Sequence, residues 1–216
     1  MERPGLVIFD CDGVLLDSEP ASERVVAEMA TQLGIEISAA EVGRRYLGTS
    51  DDFTFRDLAA QHGITLPEGF FDRLEQAKLI AYRTGVELIP GAVHAVRRVS
   101  QAAVPMCVAT SGTPGETKTK FATTPLADLF GGHVFTASMV TRGKPAPDLF
   151  LLAADRMGVA PTDCVVVEDS AAGVRGASEA GMRVLGYAPK GDVLGLSDLG
   201  AEVFASMADV PALLLL

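Results

Sequence analysis

The sequence predicts an open, largely parallel α/β sheet interrupted by a helical insertion. Short apolar runs rich in Val, Ile and Cys recur along the chain, and segments of helical periodicity lie between them. Runs that are apolar at every position are typical of parallel strands buried on both faces. One long stretch near the N-terminus has helical patterns but no convincing strand. It therefore interrupts the alternation of strands and helices and indicates a helical insertion.

Composition restricts the class of protein. The chain has 216 residues, which is long enough for one domain with a buried core and a second, smaller domain. Its composition, 48% apolar and 21% charged, is typical of a globular protein. A formal charge of −10 argues against nucleic-acid or anionic-membrane binding. Three scattered cysteines and the lack of a signal-like or membrane-spanning run favour a cytoplasmic location. No long exposed apolar helix face is evident, so we expect a monomer.

The strand and helix patterns define two domains. We predict core strands in LVIF (6–9), VPMCVAT (104–110), CVVVE (164–168) and MRVLGY (182–187). Four helical segments, at 18–34, 38–48, 50–63 and 67–85, form the insertion. The core therefore comprises 1–16 and 86–216, and the insertion 17–85. Because the insertion begins just after the first strand, we expect it to act as a lid over that strand's carboxyl end.

The core helices follow from turn and capping signals. Pro90 and Gly91 open one helix. Another starts after Pro147 and ends at Gly158, a third begins at SAAGV, and a short one lies in the tail. The segment TSGTPGETKTKF at 110–121 is polar where a packed helix needs apolar residues. This predicts weak packing of the helix that follows Ser111.

Polar residues stand at four places that a parallel sheet brings to one edge. These are Asp10 with Asp12, Thr110 with Ser111, Lys144, and Glu168 with Asp169. Carboxylates at the end of a buried strand are costly to desolvate unless a cation compensates them. A gathered set of carboxylates suits a hard ion such as Mg²⁺, which prefers oxygen ligands. The sequence therefore predicts a magnesium site at this edge.

Four motifs resemble the signature regions of the haloacid dehalogenase superfamily, in their usual order. They are DCDGVLLDSE, VATSG, RGKPAPD and VVVEDSAAGVRGASEAGMRVLGY. The resemblance extends from the first strand to about Tyr187 and is closest to the β-phosphoglucomutase-like branch, which includes small sugar-phosphate phosphatases such as 6-phosphogluconate phosphatase. It implies a Rossmann-like core with helices on both faces of the sheet and an all-helical cap inserted after the first strand.

The resemblance also implies the roles of site residues in a Mg²⁺-dependent phosphatase. Asp10 is the nucleophile that forms an aspartyl-phosphate, and Asp12 is the general acid and base. Phosphate is bound by Ser111, Lys144 and backbone N–H groups at Cys11, Asp12 and Gly112. The metal is held by Asp10, the backbone carbonyl of Asp12 and Asp169, with Glu168 as a further ligand or as support for the ligands. The substrate is a small phosphorylated metabolite such as a sugar phosphate or phosphorylated sugar acid.

The cap is expected to contact the leaving group. Gly48, Thr49 and Ser50 lie in a loop that would reach sugar hydroxyls, and Glu19 would orient the cap hinge or touch the substrate. Local signals also make Ser50, like Ser18, a plausible helix N-cap and Gly48 a plausible helix stop.

Other activities of this superfamily and of similar folds remain as alternatives. The second acid, Asp12, argues against carbon–halogen chemistry. A phosphonate hydrolase of this superfamily needs a cap lysine for a Schiff base, but the only cap lysine, Lys78, lies on a helix that we expect to be distal. A phosphomutase remains an alternative, although Ser22 and Asp51 occupy the positions of its cap histidine and arginine. A non-catalytic phosphate-binding protein is a further alternative. The order of the motifs and the helical insertion do not fit a phosphoacceptor receiver domain.

Overall fold

The chain folds into two units. The computed structural model describes residues 3–46 and 49–216. One unit comprises the residues up to Asp17 together with Glu87–Leu216, and the other is Ser18–Val86. Both boundaries lie one residue after the predicted ones. Within the described ranges, no helix is both long enough and apolar enough to cross a bilayer.

The first unit contains a parallel sheet of six described strands. They are β1 (Leu6–Phe9), β4 (Met106–Thr110), β5 (Val134–Thr136), β6 (Cys164–Glu168), β7 (Arg183–Tyr187) and β8 (Glu202–Phe204). Their order across the sheet is β5-β4-β1-β6-β7-β8. A separate antiparallel pair, β2 (Leu16–Asp17) with β3 (Glu87–Leu88), joins the two chain segments that lead to and from the second unit.

The remaining elements are helices. In the first unit they are α5 (Ala92–Gln101), α6 (Pro114–Ala122), α7 (Leu126–Phe130), α8 (Asp148–Met157), α9 (Ala171–Glu179) and α10 (Val210–Leu213), with 3₁₀ turns at Ala137–Met139, Pro161–Asp163 and Met207–Asp209. In the second they are α1 (Glu19–Gln32), α2 (Ala39–Tyr46), α3 (Asp51–His62) and α4 (Phe70–Arg83). The helix predicted between Pro147 and Gly158 is α8, and Gly158 ends it in the left-handed conformation at φ 69°.

Strand β1 lies at the centre of the sheet and is buried on both faces. All four of its residues are fully buried, and Ile8 pairs with Cys107 of β4 and Val166 of β6. Successive side chains alternate between the faces. Ile8 packs in a core cluster with residues of α8 and α9, whereas the ring of Phe9 meets that of Phe130 in α7 on the other face. Helices therefore cover both faces, and the predicted fold class is confirmed.

The second unit has a core of its own, built by its four helices. Phe55 of α3 and Phe70 of α4 pack edge to face, with ring centroids 4.6 Å apart. Helix α3 begins where Ser50 Oγ accepts a bond from the Phe53 N–H at 3.2 Å, and it ends at the left-handed Gly63. Ser18 also precedes a helix, but its side chain makes no capping bond. Predicted stop Gly48 lies outside the described residues.

Helix α6 follows Ser111, where the sequence predicts weak packing. Thr113 and Glu116 form a reciprocal capping box at its start. Its buried face carries Thr117, Lys120 and Phe121, and the Phe121 ring stacks on that of Phe130 at a centroid distance of 6.1 Å. Two of the three residues on its buried face are polar, so capping and one aromatic contact hold this helix.

The central position of β1 gives a stability prediction. Replacing Ile8 by Ala removes a fully buried side chain from the core between the sheet and helices α8 and α9, and we expect a loss of about 2–5 kcal/mol in the free energy of unfolding. Val203→Ala in the edge strand β8, where the side chain is 36% exposed, should cost less than about 1 kcal/mol. Urea unfolding of both variants checks this. Equal costs would contradict the central placement of β1.

Candidate active site

Asp10 is held at the carboxyl end of β1. Its N–H donates to the carbonyl of Val167 at 2.9 Å, which extends the pairing of β1 with β6 by one residue. The residue is only 6% exposed. A carboxylate removed from water in this way needs a charged or hydrogen-bonding partner.

Lys144 supplies that partner and joins three of the predicted positions. Its Nζ donates to Asp10 Oδ1 at 2.5 Å and to Glu168 Oε1 at 2.6 Å. The ammonium also lies 5.1 Å from the centroid of the Phe150 ring in α8. The lysine side chain is 4% exposed, so this cluster of one ammonium and two carboxylates is almost dry.

Glu168 is fixed through both of its oxygens. Besides the contact of Oε1 with Lys144, Oε2 accepts bonds from the N–H groups of Asp169 and Ser170 at 2.8 and 2.7 Å and from Ser170 Oγ at 3.0 Å. The carboxylate lies against the first turn of α9, where a side-chain carbon at Gly173 would stand 1.7 Å from Oε1. Only glycine leaves this space, and the helix N-terminus favours the negative charge.

Asp169 lies against the loop that carries the two N-terminal acids. A Cβ built on Gly13 would stand 1.9 Å from Asp169 Oδ2, so any side chain at Gly13 would displace the carboxylate. Gly13 also has φ +81°, and its N–H donates to the carbonyl of Leu16 at 2.8 Å. The tight turn after Asp12 therefore forms one wall of the position that Asp169 occupies.

Asp12 is held by a residue that the sequence analysis missed. Lys120 Nζ donates to Asp12 Oδ1 at 2.6 Å and to Oδ2 at 2.9 Å, and Lys120 is 2% exposed. The signal was present in the pattern, because Thr117, Lys120 and Phe121 have the i, i+3, i+4 spacing of one helix face. A lysine on a buried face beside a phenylalanine indicates a specific anionic partner.

The residues predicted to bind phosphate follow strands that end at the same edge of the sheet, but the N–H of one of them, Gly112, already has a partner. Ser111 follows β4, the neighbour of β1, and is exposed. The N–H of Gly112 donates to Thr110 Oγ1 at 3.0 Å, so it is engaged within the loop. Cys11 is fully buried, and its carbonyl accepts bonds from Leu15 and Leu16 that close the turn.

Comparison with known proteins identifies the family. The sequence model of the haloacid dehalogenase-like hydrolases matches residues 4–181. The chain belongs to this family. The match confirms the resemblance read from the four motifs and the prediction of an enzyme.

Several relatives have named activities. Hexitol phosphatase A of Escherichia coli (strain K12) is 33% identical over 89% of this chain and 87% of its own length. The 6-phosphogluconate phosphatase of the same organism is 30% identical over 85% and 82%. A crystal structure of a HAD family hydrolase from Deinococcus radiodurans R1, with bound phosphate and sodium, superposes with a TM-score of 0.81. It is 32% identical and covers 99% of this chain and 96% of that one.

The cap residues of this haloacid dehalogenase-like hydrolase make internal contacts. Thr49 Oγ1 donates to the Tyr46 carbonyl at 2.8 Å and lies 2.9 Å from Thr54 Oγ1, while Ser50 caps α3. Glu19 is the first residue of α1. Gly48, the fourth predicted contact, falls outside the described residues.

Lys78 has a partner that the sequence did not predict. Its Nζ lies 2.7 and 2.6 Å from the two carboxylate oxygens of Asp51, the first residue of α3. The side chain of Lys78 is 7% exposed. Lys78 therefore contacts the helix that follows the predicted substrate loop. The same ion pair neutralises Asp51, the residue at the position of the mutase arginine.

Burial controls the protonation of the central groups. Burial raises the pKa of Asp10 to about 7, against the opposing effect of Lys144 and with the help of Glu168. Burial acts to lower the pKa of Lys144, but the charges of Asp10 and Glu168 outweigh it and hold the pKa above its usual value. Burial, followed by the charge of Asp12, raises the pKa of the Cys11 thiol well above its usual value. Cys11 therefore stays protonated and acts as a packing residue.

The donor set fits a magnesium ion. Mg²⁺ usually takes one or two carboxylates and keeps sites for water and substrate phosphate. Asp10 and Asp169 lie on either side of the turn that contains Asp12. The Asp169 carboxylate occupies the space that a side chain at Gly13 would fill. In the described ranges, no three His, Cys, Asp or Glu side chains are grouped closely enough to coordinate one metal ion. A site of two carboxylates and one backbone carbonyl is compatible with that finding.

The raised pKa of Asp10 predicts a pH dependence of stability without divalent metal. A carboxyl whose pKa is raised by folding favours the native state below its unfolded pKa, and that contribution is lost as the pH rises through the folded value of about 7. Asp10→Asn cannot ionise. In EDTA, we expect the difference in thermal midpoint, Asp10→Asn minus wild type, to become more positive as the pH rises from 5 to 8. The exposed Asp163→Asn serves as the control, and a difference that is constant with pH would contradict the assignment.

Proposed function

We propose that this protein is a Mg²⁺-dependent phosphatase that hydrolyses a small phosphorylated metabolite through an aspartyl-phosphate. The observation that carries the proposal is the dry cluster in which Lys144 holds Asp10 at 2.5 Å, two residues before a second acid, Asp12. The relatives named hexitol phosphatase A and 6-phosphogluconate phosphatase support the reaction class.

Asp10 and Asp12 divide the reaction into two steps. In the first, an oxygen of Asp10 bonds to phosphorus while the bond to the leaving oxygen breaks, and Asp12 gives that oxygen its proton. In the second, Asp12 takes a proton from water as the water oxygen bonds to the same phosphorus. The bond between phosphorus and Asp10 then breaks, and inorganic phosphate leaves. Asp10 and Asp12 end in the states in which they began.

The surrounding groups balance charge on the phosphoryl group. Lys144 offsets the negative charge shared by the phosphate and Asp10, and Ser111 with the N–H of Cys11 binds phosphate oxygens. The N–H of Gly112 can join them once it leaves Thr110 Oγ1. Because the chain carries a formal charge of −10, a phosphorylated substrate depends on such local cations.

The metal site would use Asp10, the carbonyl of Asp12 and Asp169. A bound Mg²⁺ there would supply positive charge to the phosphate oxygens. Glu168 has both oxygens engaged by Lys144 and by donors at the start of α9. We therefore assign Glu168 the second of the two roles left open for it, support for the ligands, through its bonds with Lys144 and the N–H of Asp169.

The proposed substrate is a sugar phosphate or a phosphorylated sugar acid. The named relatives act on phosphorylated compounds of this kind, and the Deinococcus structure contains phosphate. Thr49 and Ser50, with Glu19 and Gly48, remain the proposed cap contacts. Three free, buried cysteines agree with a cytoplasmic location. The monomeric state stays a prediction.

Phosphate release across a panel of sugar phosphates and phosphorylated sugar acids tests the proposal. We expect release that requires Mg²⁺, stops in EDTA, and falls by at least about 10³-fold in Asp10→Asn. Asp163→Asn, exposed before β6, should retain wild-type rates. Turnover that survives in Asp10→Asn would overturn the mechanism, and conversion of one phosphorylated sugar into another without phosphate release would indicate a mutase.

The contact between Gly13 and Asp169 gives a second test. Gly13→Ala should displace the Asp169 carboxylate and raise the Mg²⁺ concentration needed for half-maximal activity by at least about tenfold. Gly181→Ala is the matched control, because Gly181 has a similar φ of +76° but no atom within 4 Å of the added carbon. Both variants carry the same backbone strain. An equal Mg²⁺ requirement in the two would contradict the role of Asp169.

A further inference from the structure

Asp10 and Asp12 each have a lysine of their own. Lys144 holds Asp10, and Lys120 donates to both carboxylate oxygens of Asp12 at 2.6 and 2.9 Å. We propose that Lys120 is a positioning residue that fixes the Asp12 carboxylate for proton transfer to the leaving group. This inference rests on the proposed phosphatase function and assigns a role to a residue outside the four motifs.

The burial of the two partners is unequal. The side chain of Lys120 is 3% exposed and that of Asp12 is 31% exposed. The lysine is thus the desolvated member of the pair, while the aspartate retains an open side toward solvent. Desolvating this ammonium is costly for stability, and its loss would leave the Asp12 carboxylate in contact with water rather than as an uncompensated buried charge. This arrangement is expected of a residue kept for function.

Helix α6 is anchored so that Lys120 has a defined position. The capping box of Thr113 and Glu116 fixes its start, and Thr117 Oγ1 donates to the Thr113 carbonyl at 2.9 Å. Phe121, next to Lys120, stacks on Phe130, which in turn meets the ring of Phe9 at 5.9 Å. Phe9 directly precedes Asp10, so the lysine and the acid loop are tied to the same aromatic cluster.

Separate cations keep the two acids in separate roles. Asp10 and Asp12 are two residues apart and would repel each other as like charges. The ammonium of Lys120 contacts both oxygens of Asp12 and therefore limits rotation of its carboxylate. A general acid must lie within hydrogen-bond reach of the oxygen that it protonates, and loss of this alignment is costly to the rate.

The test compares two leaving groups in Lys120→Met. The ratio kcat/KM reports the steps up to the first irreversible one, here the departure of the leaving group. A sugar alkoxide needs a proton to leave, whereas the p-nitrophenolate of p-nitrophenyl phosphate does not. We expect kcat/KM for the best sugar phosphate to fall about 10²-fold or more, and that for p-nitrophenyl phosphate to fall less than about tenfold. Lys118→Met, an exposed lysine on the same helix, should change neither.

A conservative variant and a stability measurement separate positioning from structural support. Lys120→Arg keeps a cation that can contact both carboxylate oxygens, and it should recover at least about tenfold of the lost sugar-phosphate activity. The thermal midpoint of Lys120→Met should equal or exceed that of wild type, because Asp12 remains accessible to water.

Three results would overturn the inference. An equal loss of kcat/KM on both substrates would show a general effect on the site, and full activity of Lys120→Met on the sugar phosphate would remove its role. A lowered thermal midpoint with parallel losses on both substrates would assign Lys120 to the scaffold. Absence of phosphate release by the wild-type protein from either substrate would instead overturn the proposed function itself.

Discussion

The structure depends on a single buried ammonium that lies between two carboxylates. Lys144 contacts Asp10 and Glu168 in a site where all three side chains are at most 9% exposed. Without a cation, two carboxylates could not share so dry a position at neutral pH, because each would need its own solvation. The lysine makes it possible for the end of β1 and the end of β6 to carry acids side by side. The other contacts of the site are arranged around that pair.

Backbone geometry supplies the second constraint. Two positions without side chains, Gly13 and Gly173, provide the space in which Asp169 and Glu168 lie. The parallel sheet brings together groups from distant segments, since Lys144 lies 134 positions from Asp10 along the chain. A rigid central strand, buried on both faces, fixes the direction in which Asp10 points. Precise placement of reacting groups in this way is the main contribution that a protein makes to phosphoryl transfer.

The sequence predicted the parts of the fold that carry strong local signals. Strands β1 and β6 have the predicted limits because their apolar runs end in acids. Strands β5 and β8 were missed because each has only three residues at or near an edge, which is too short for a periodic pattern. The spacing of Thr117, Lys120 and Phe121 could indicate a buried lysine, but its partner Asp12 lies 108 positions away and depends on how α6 packs, so no local pattern identifies that partner. The bonds of Thr49 and Ser50 within the cap are local by contrast, and the capping of α3 by Ser50 agrees with the sequence pattern of a helix start.

A double-mutant cycle on Lys144 and Asp10 tests the central claim most directly. The free energy of unfolding would be measured in urea at pH 8 with EDTA for Lys144→Met, Asp10→Asn and the double variant. We expect Lys144→Met to lose about 3–5 kcal/mol, because it leaves buried carboxylates without their cation, and Asp10→Asn to restore part of that loss in the same background. A Lys144→Met protein as stable as wild type, or strictly additive effects, would contradict the account.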